Sequence, residues 1–210
     1  MKILLYGGTF DPPHLGHAHN LLAAADCARP DRILIMPAGV PPHKAASHTP
    51  AALRLEMCRA AFLPLADRLA PAALEISDWE ISQARRGVTN YTSTTLEMLG
   101  MACPGAALYL AMGSDMLLTF DQWHAWQDIL QMAVLVVVSR EKDDRAALQA
   151  KAEELTQSGG RVLFAGAPAL PMDSSGLRAG LAAGQDCRGA LAPAVWEIIA
   201  REGLYRNGGV

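Results

Sequence analysis

Short apolar runs alternate with helical stripes along the chain. Lys2 to Tyr6 reads as a buried strand ending at Gly7-Gly8. Leu15, Leu21, Leu22 and Ala25 then fall on one face of a helix predicted over Leu15 to Ala28. Arg32 to Met36 is a second strand, stopped by Pro37. Residues 37–48 are rich in Pro, Gly, His and Ala and read as a long loop of the kind that often carries function. Thr49-Pro50 looks like an N-cap followed by proline at the first helical position, opening a helix to about Phe62 with Leu53, Met57 and Ala60 or Ala61 inward. Leu74 to Ile81 reads as extended, and 82–90 as polar. A helix is predicted from about Tyr91 to Ala102, a strand over Ala106 to Met112, and short helices over 116–131. Met132 to Val138 is the most apolar strand and is therefore expected at the centre of the sheet. Helices over 143–157, 174–183 and 193–202 and a strand at Arg161 to Phe164 complete the pattern.

Strands alternating with helices predict an α/β fold: a Rossmann-like, doubly wound parallel sheet with helices on both faces. Such sheets bind ligands at the carboxyl ends of their strands, where strand order reverses. Three predicted strand ends carry Gly or polar residues: Gly7-Gly8, Pro37-Ala38-Gly39 and Gly113-Ser114-Asp115. They should share one edge of the sheet, and the chemistry is sought there.

Composition narrows the picture. The chain has 210 residues, which suits one domain over 1–210 with a helical C-terminal portion from about 172. With 51% hydrophobic and 19% charged residues it is neither disordered nor collagen-like. Its net charge of −3 lacks the basic surplus of a nucleic-acid binder. Cys27, Cys58, Cys103 and Cys187 form no C-x-x-C pair and read as structural thiols. No apolar run reaches the roughly 20 residues of a membrane span, and the N-terminal run is too short for a signal peptide. A cytoplasmic location, away from membranes, is expected.

After the first strand comes Gly7-Gly8-Thr9-Phe10-Asp11-Pro12-Pro13-His14-Leu15-Gly16-His17. It is neither G-x-G-x-x-G nor a P-loop, which disfavours a dehydrogenase or a P-loop enzyme. Paired glycines allow close backbone approach to a ligand. His14 and His17 lie on one side of a helix start, whose N–H groups favour anions. Gly16 between them is expected to leave room for a nucleotide. A helix surface or a metal site is the competing reading of the histidine pair.

These residues resemble the G-G-T-F-D-P-x-H-x-G-H signature of the nucleotidylyltransferase superfamily, and more narrowly its bacterial nicotinate-nucleotide adenylyltransferase family. Further matches follow in the family's order. Pro41-Pro42-His43-Lys44 is similar to its P-P-H-K loop. Asn90-Tyr91-Thr92 through Leu96 is similar to S-Y-T-x-x-T-L. Gly113-Ser114-Asp115-Met116-Leu117 with Phe120 and Trp123 is similar to G-x-D-x-L…F…W. Met172 to Arg178 is similar to I-S-S-T-x-I-R, and Val195 to Tyr205 to the terminal helix and its L-Y ending. Asp173 departs from the usual Ser and is expected to point away or cap a helix. Ser175 keeps the hydroxyl of the usual Thr. Ser139-Arg140-Glu141-Lys142 departs from the family's R-P-G.

The resemblance implies adenylyl transfer from ATP to nicotinate mononucleotide, giving deamido-NAD and pyrophosphate. It implies His14 and His17 as the catalytic pair. ATP would be bound by Gly7, Gly8, Thr9, Phe10, His14, His17, Gly113, Asp115, Ser174, Ser175 and Arg178. His43 and Lys44 would close a loop over the phosphates, and Tyr91, Thr92 and Trp123 would hold the nicotinate nucleotide. Mg²⁺ would travel with ATP and need no dedicated cage of side chains. A homo-oligomer is compatible with the sequence. His19, His48 and His124 match no motif strongly and read as surface or core histidines, and Trp126 as packing. A sister transferase using pantetheine phosphate, nicotinamide mononucleotide or a cytidylyl substrate is the enzyme alternative. A nucleotide-binding regulator without turnover is the non-enzyme one, and the intact His14, His17 and Arg178 weigh against it.

Overall fold

The structure is a computed structural model that describes residues 1–40, 49–138, 145–168 and 170–206. Strand β1 (Lys2–Gly8) leads through the histidine segment into α1 (Leu15–Ala28) and β2 (Arg32–Pro37). Helices α2 (Ala51–Phe62) and α3 (Ala66–Leu69) precede β3 (Ala73–Ile76). Next come α4 (Trp79–Arg85), α5 (Thr92–Ala102) and β4 (Ala107–Gly113). Helices α6 (Ser114–Leu118) and α7 (Trp126–Met132) lead to β5 (Ala133–Val138). Then follow α8 (Arg145–Gln157), β6 (Arg161–Phe164), α9 (Ser174–Ala182) and α10 (Pro193–Glu202).

The six strands form one sheet in the order β3-β2-β1-β4-β5-β6, and every neighbouring pair is parallel. Alternation of side chains along each strand divides the core in two. Leu4, Tyr6, Ile33, Ile35, Val136 and Val138 face α1, α2, α9 and α10. Ile3, Leu5, Leu34, Met36, Leu110 and Val137 face α5, α7 and α8. The centre is the β1–β4 pair, so β5 is not the central strand that its apolar run predicts. It lies one in from the edge, between β4 and β6. A continuous apolar run reports cover on both faces and says nothing of strand order.

Two local predictions shift. Residues 77–81 leave the extended conformation after Ile76, and the chain turns into α4. At the start of α4 the Ser77 hydroxyl accepts from the Trp79 N–H at 3.2 Å, a local bond available to a turn and absent from a strand. At α2 the residue before the helix is Pro50, and it makes no side-chain cap. The Thr49 hydroxyl instead donates to the Tyr205 phenol oxygen at 3.3 Å.

The strand order turns back on itself between β1 and β4. Connections from β1 run outward through β2 and β3, then return to the other side of β1. Gly8 pairs with Pro37, and Gly113 closes β4 on the same edge. The three strand ends therefore meet at the switch point, where a crevice opens in folds of this kind.

Candidate active site

Phe10 turns the chain at the end of β1. Its φ of 48° is left-handed and holds on the order of 1–3 kcal/mol of strain for a bulky residue. Burial of the ring offsets this, with Tyr6, Phe62 and His17 edge-on at 5.5, 5.3 and 5.1 Å. A Cβ on Gly8 would lie 2.9 Å from that ring, so glycine is required there. The Phe10 side chain belongs to the core, so a ligand at this turn would meet its backbone.

His14 and His17 cap α1 reciprocally. His14 Nδ1 accepts from the His17 N–H at 3.3 Å, and His17 Nδ1 accepts from the His14 N–H at 3.2 Å. The rings stack at 3.7 Å. With each Nδ1 an acceptor, the proton of each neutral ring sits on Nε2, which is then the donor. The chain thus fixes the tautomer through its own backbone. Gly16 serves this pair directly: a Cβ there would lie 2.9 Å from His14 Nδ1 and 3.2 Å from Met172. It makes room for an imidazole and for the approach to α9.

The start of α9 is fastened to the same loop. Asp173 caps the helix, accepting from the Gly176 N–H at 2.8 Å, so the departure from serine is a functional N-cap. Ser174 donates to the Pro12 carbonyl at 3.0 Å. Arg178 donates to the Asp11 carbonyl at 2.7 Å and to the Ser175 hydroxyl at 3.1 Å. Ser174, Ser175 and Arg178 are thereby brought beside the His14–His17 segment from more than 150 residues away. The Ser174 hydroxyl hydrogen and one edge of the guanidinium are engaged by protein carbonyls, not turned outward. Asp11 also accepts from the Tyr205 phenol at 2.5 Å. Burial first, and then this carboxylate, push the phenol above its usual range.

A cavity of about 190 Å³ opens between the ends of β1 and β4. Gly7, Gly8 and Thr9 form one wall, and Tyr91, Thr92 and Trp123 form another. Trp123 rests against Phe120 with ring centroids 5.3 Å apart. Tyr91 lies over His124 at 4.1 Å, so His124 belongs to the cavity wall although the sequence places it with the surface or core histidines. Gly113 stands immediately before α6, with Asp115 exposed in its first turn. His43, Lys44 and Arg140 lie outside the described residues.

Two polar residues, Arg54 and Glu80, escape the sequence reading, and Asn90 joins them at the cavity. Arg54 is 2% exposed on α2. Glu80 lines the cavity, and burial raises its carboxyl from 4.5 to about 7 against the opposing pull of Thr95, Gly39 and Arg54. Asn90 also lines the cavity at 4% exposure, and neither polar atom of its carboxamide has a partner among the described residues. Helical phase was the available signal for Arg54. It shares the buried stripe of Met57, Cys58 and Ala61. Nothing local marks Glu80, whereas Asn90 belongs to the Asn90-Tyr91-Thr92 motif.

Residues 5–178 match the profile of the cytidylyltransferase-like family. A protein of Shewanella sp. (strain MR-4) is 31% identical, covering 98% of this chain and 99% of its own. One of Laribacter hongkongensis is 34% identical, covering 99% and 96%. Both are named "Probable nicotinate-nucleotide adenylyltransferase". Among solved structures, the nicotinic acid mononucleotide adenylyltransferase of Plasmodium falciparum complexed with NaAD superposes with a TM-score of 0.74. It has 18% identity and covers 97% of both chains, a likeness of fold.

Proposed function

The chain belongs to the cytidylyltransferase-like family and, within it, to the nicotinate-nucleotide adenylyltransferases, and from that premise we propose its reaction and the part of each residue. The 5′-phosphate of nicotinate mononucleotide attacks the α-phosphorus of ATP. A new P–O–P bond forms, the bond from the α-phosphorus to the bridging oxygen breaks, and pyrophosphate leaves. The nucleophile is already an anion, so the protein needs neither a covalent nucleophile nor a strong base. Its task is positioning and charge stabilisation.

The observation that carries this reading is the convergence at the switch point. The stacked imidazoles, the α9 start and a tryptophan-lined cavity share one sheet edge. His14 and His17 donate from Nε2 to the α-phosphate as charge builds there. Gly7, Gly8, Thr9 and the Phe10 backbone let the triphosphate approach closely, while Gly113 and Asp115 serve the adenosine side. Ser174, Ser175 and Arg178 serve the β- and γ-phosphates. Tyr91, Thr92 and Trp123 take the pyridine ring and its carboxylate. The buried Asn90 carboxamide supports a polar occupant, because such groups in folded proteins have partners. By family resemblance His43 and Lys44 close over the phosphates.

ATP enters as its magnesium complex. The donors at the strand ends are N–H groups and imidazoles, which suit phosphate oxygens; the hard cation is held by phosphate and water. The test is pyrophosphate release from ATP with a panel of acceptors: nicotinate mononucleotide, nicotinamide mononucleotide, pantetheine phosphate and cytidylyl-type phosphates. The expected result is a specificity constant for nicotinate mononucleotide at least about 10²-fold above the others. Turnover led by any other acceptor would move the protein to a sister reaction.

A further inference from the structure

The buried guanidinium of Arg54 reaches two loops at once. Its Nη1 donates to the Thr9 carbonyl at 2.8 Å, and its Nη2 to the carbonyls of Ala38 and Gly39 at 2.7 and 3.1 Å. Thr9 follows β1; Ala38 and Gly39 follow β2. Glu80 holds the same turn from the opposite side. The Gly39 N–H donates to its carboxylate, and the Thr95 hydroxyl of α5 donates to its Oε1 at 2.7 Å. Gly39 is thus gripped by its carbonyl from α2 and by its N–H from α4. No side chain fits there, since a Cβ would lie 2.4 Å from the Glu80 carbonyl oxygen. Thr9, Ala38 and Val40 line the cavity assigned above to the acceptor nucleotide.

A buried charge is a costly way to hold two loops. Taking an ion from water costs several kcal/mol even after relaxation, and apolar packing would often stabilise as well. What the guanidinium supplies instead is geometry. Its planar fork meets three carbonyls in fixed directions, and the Asp11 carboxylate first, then Glu80 more weakly, answer its charge.

We propose that Arg54 and Glu80 are positioning residues for the acceptor subsite, clamping the Ala38–Gly39 turn as one wall of the cavity and registering it against the Thr9 loop. The proposal rests on the acceptor reading of the cavity. The clamp leaves the α9 side of the site alone, because its bonds go to the β1 and β2 loops.

Initial rates with both substrates varied test it, in the wild type and in Glu80→Ala, Glu80→Gln, Arg54→Met and Arg54→Lys. Glu80→Ala and Arg54→Met are expected to raise the acceptor KM by about tenfold or more, within the range that a displaced positioning group produces. The KM for ATP should change less than threefold in Glu80→Ala, and should rise less than the acceptor KM in Arg54→Met, which also frees the Thr9 carbonyl. Glu80→Gln keeps one oxygen for the Gly39 N–H, while its NH2 donates to a Thr95 hydroxyl that turns its own hydrogen to the Tyr91 carbonyl, and it should restore the acceptor KM to within threefold. Arg54→Lys lacks the fork and should fall between. Circular dichroism checks folding. If Arg54→Met fails to fold, the Glu80 pair decides. Equal rises in both KM values, or glutamine as damaging as alanine, would overturn the clamp. An active wild type whose Glu80→Ala variant keeps its acceptor KM overturns the clamp alone. A wild type silent with every acceptor overturns the functional reading, and the clamp with it.

Discussion

The phenol of Tyr205 donates to the carboxylate of Asp11 at 2.5 Å, joining the turn after the last helix to the segment that precedes the histidine pair. Asp11 is 5% exposed, so the bond lies in a poorly hydrated setting where hydrogen bonds to charged groups contribute most. Asp11 also offers its carbonyl to Arg178, so one residue links the β1 loop to both α9 and the C-terminal turn.

Tyr205→Phe is therefore expected to lower stability by about 1.5–3 kcal/mol, the usual contribution of a hydrogen bond to a charged group. Urea unfolding of the two proteins measures it. The KM for ATP should rise as well. A midpoint unchanged in the variant would mean that the contact carries no stability.

His17→Ala should lower kcat by about 10²–10³, as for the loss of one preorganised donor. It also removes the acceptor for the His14 N–H, so a stability loss of about 1 kcal/mol should accompany it, the usual effect of a lost cap. Steady-state pyrophosphate release and thermal melting separate the two effects. A loss in kcat under about threefold would remove His17 from the catalytic pair.

Arg178→Ala is expected to raise the KM for ATP more than that for the acceptor, because the residue sits at the α9 start and holds the Asp11 carbonyl. Arg178→Lys should not restore it, since an ammonium cannot span the Asp11 carbonyl and the Ser175 hydroxyl as a fork does. Separate Michaelis constants decide; an effect confined to the acceptor would reassign the residue.

Trp123→Ala should weaken nicotinate and nicotinamide mononucleotides alike, leaving their ratio nearly unchanged, since stacking on a ring is common to both. The acid-over-amide preference would come from N–H donors near Tyr91 and Thr92, which suit a carboxylate and leave the amide's own donors opposed. Specificity constants for both acceptors in both proteins measure this. A collapsed ratio would show that Trp123 orients the carboxylate.

Glu80 makes a pH prediction. Burial raises its carboxyl from 4.5 to about 7; the charged group facing it is Arg54 of α2, while Thr95 of α5 and Gly39 supply neutral donors. A raised carboxyl means that the folded state binds the proton more tightly. Between pH 4.5 and 7 the unfolded chain ionises while the native one stays protonated, so stability falls as pH rises. Relative to Glu80→Gln, the wild type should lose at most about 3 kcal/mol across that window and change little above it. Urea unfolding at pH 5, 6, 7 and 8 is the measurement. Parallel curves for the two proteins would show that the carboxyl does not titrate there.

Local signals explain what was legible beforehand. α1 and α10 begin and end where the sequence places them. Pro193 opens α10, and Gly203, in the left-handed region at φ 62°, closes it. The edge of the sheet bearing the site followed from Gly and Pro at three strand ends. What escaped was tertiary. Strand order put β5 off centre. The side chain of Phe10 turned into the core although its motif serves ligands, and Gly16 made room for an imidazole. Arg54 and Glu80 are charged residues whose burial depends on carbonyls and donors of other elements, which no window of sequence contains.

The fastening of the β1 loop also sets a clock. The His14–His17 segment is synthesised well before these partners of its loop: Ser174, Arg178 and Tyr205 follow the residues they bond by 162, 167 and 194 positions. At roughly 5–20 residues per second, they reach the growing protein roughly 10–40 seconds later. Through that interval the nascent chain carries both histidines but not these three bonds to their loop. A chain stopped before α9 thus carries both histidines without the bonds of Ser174, Arg178 and Tyr205 to their loop.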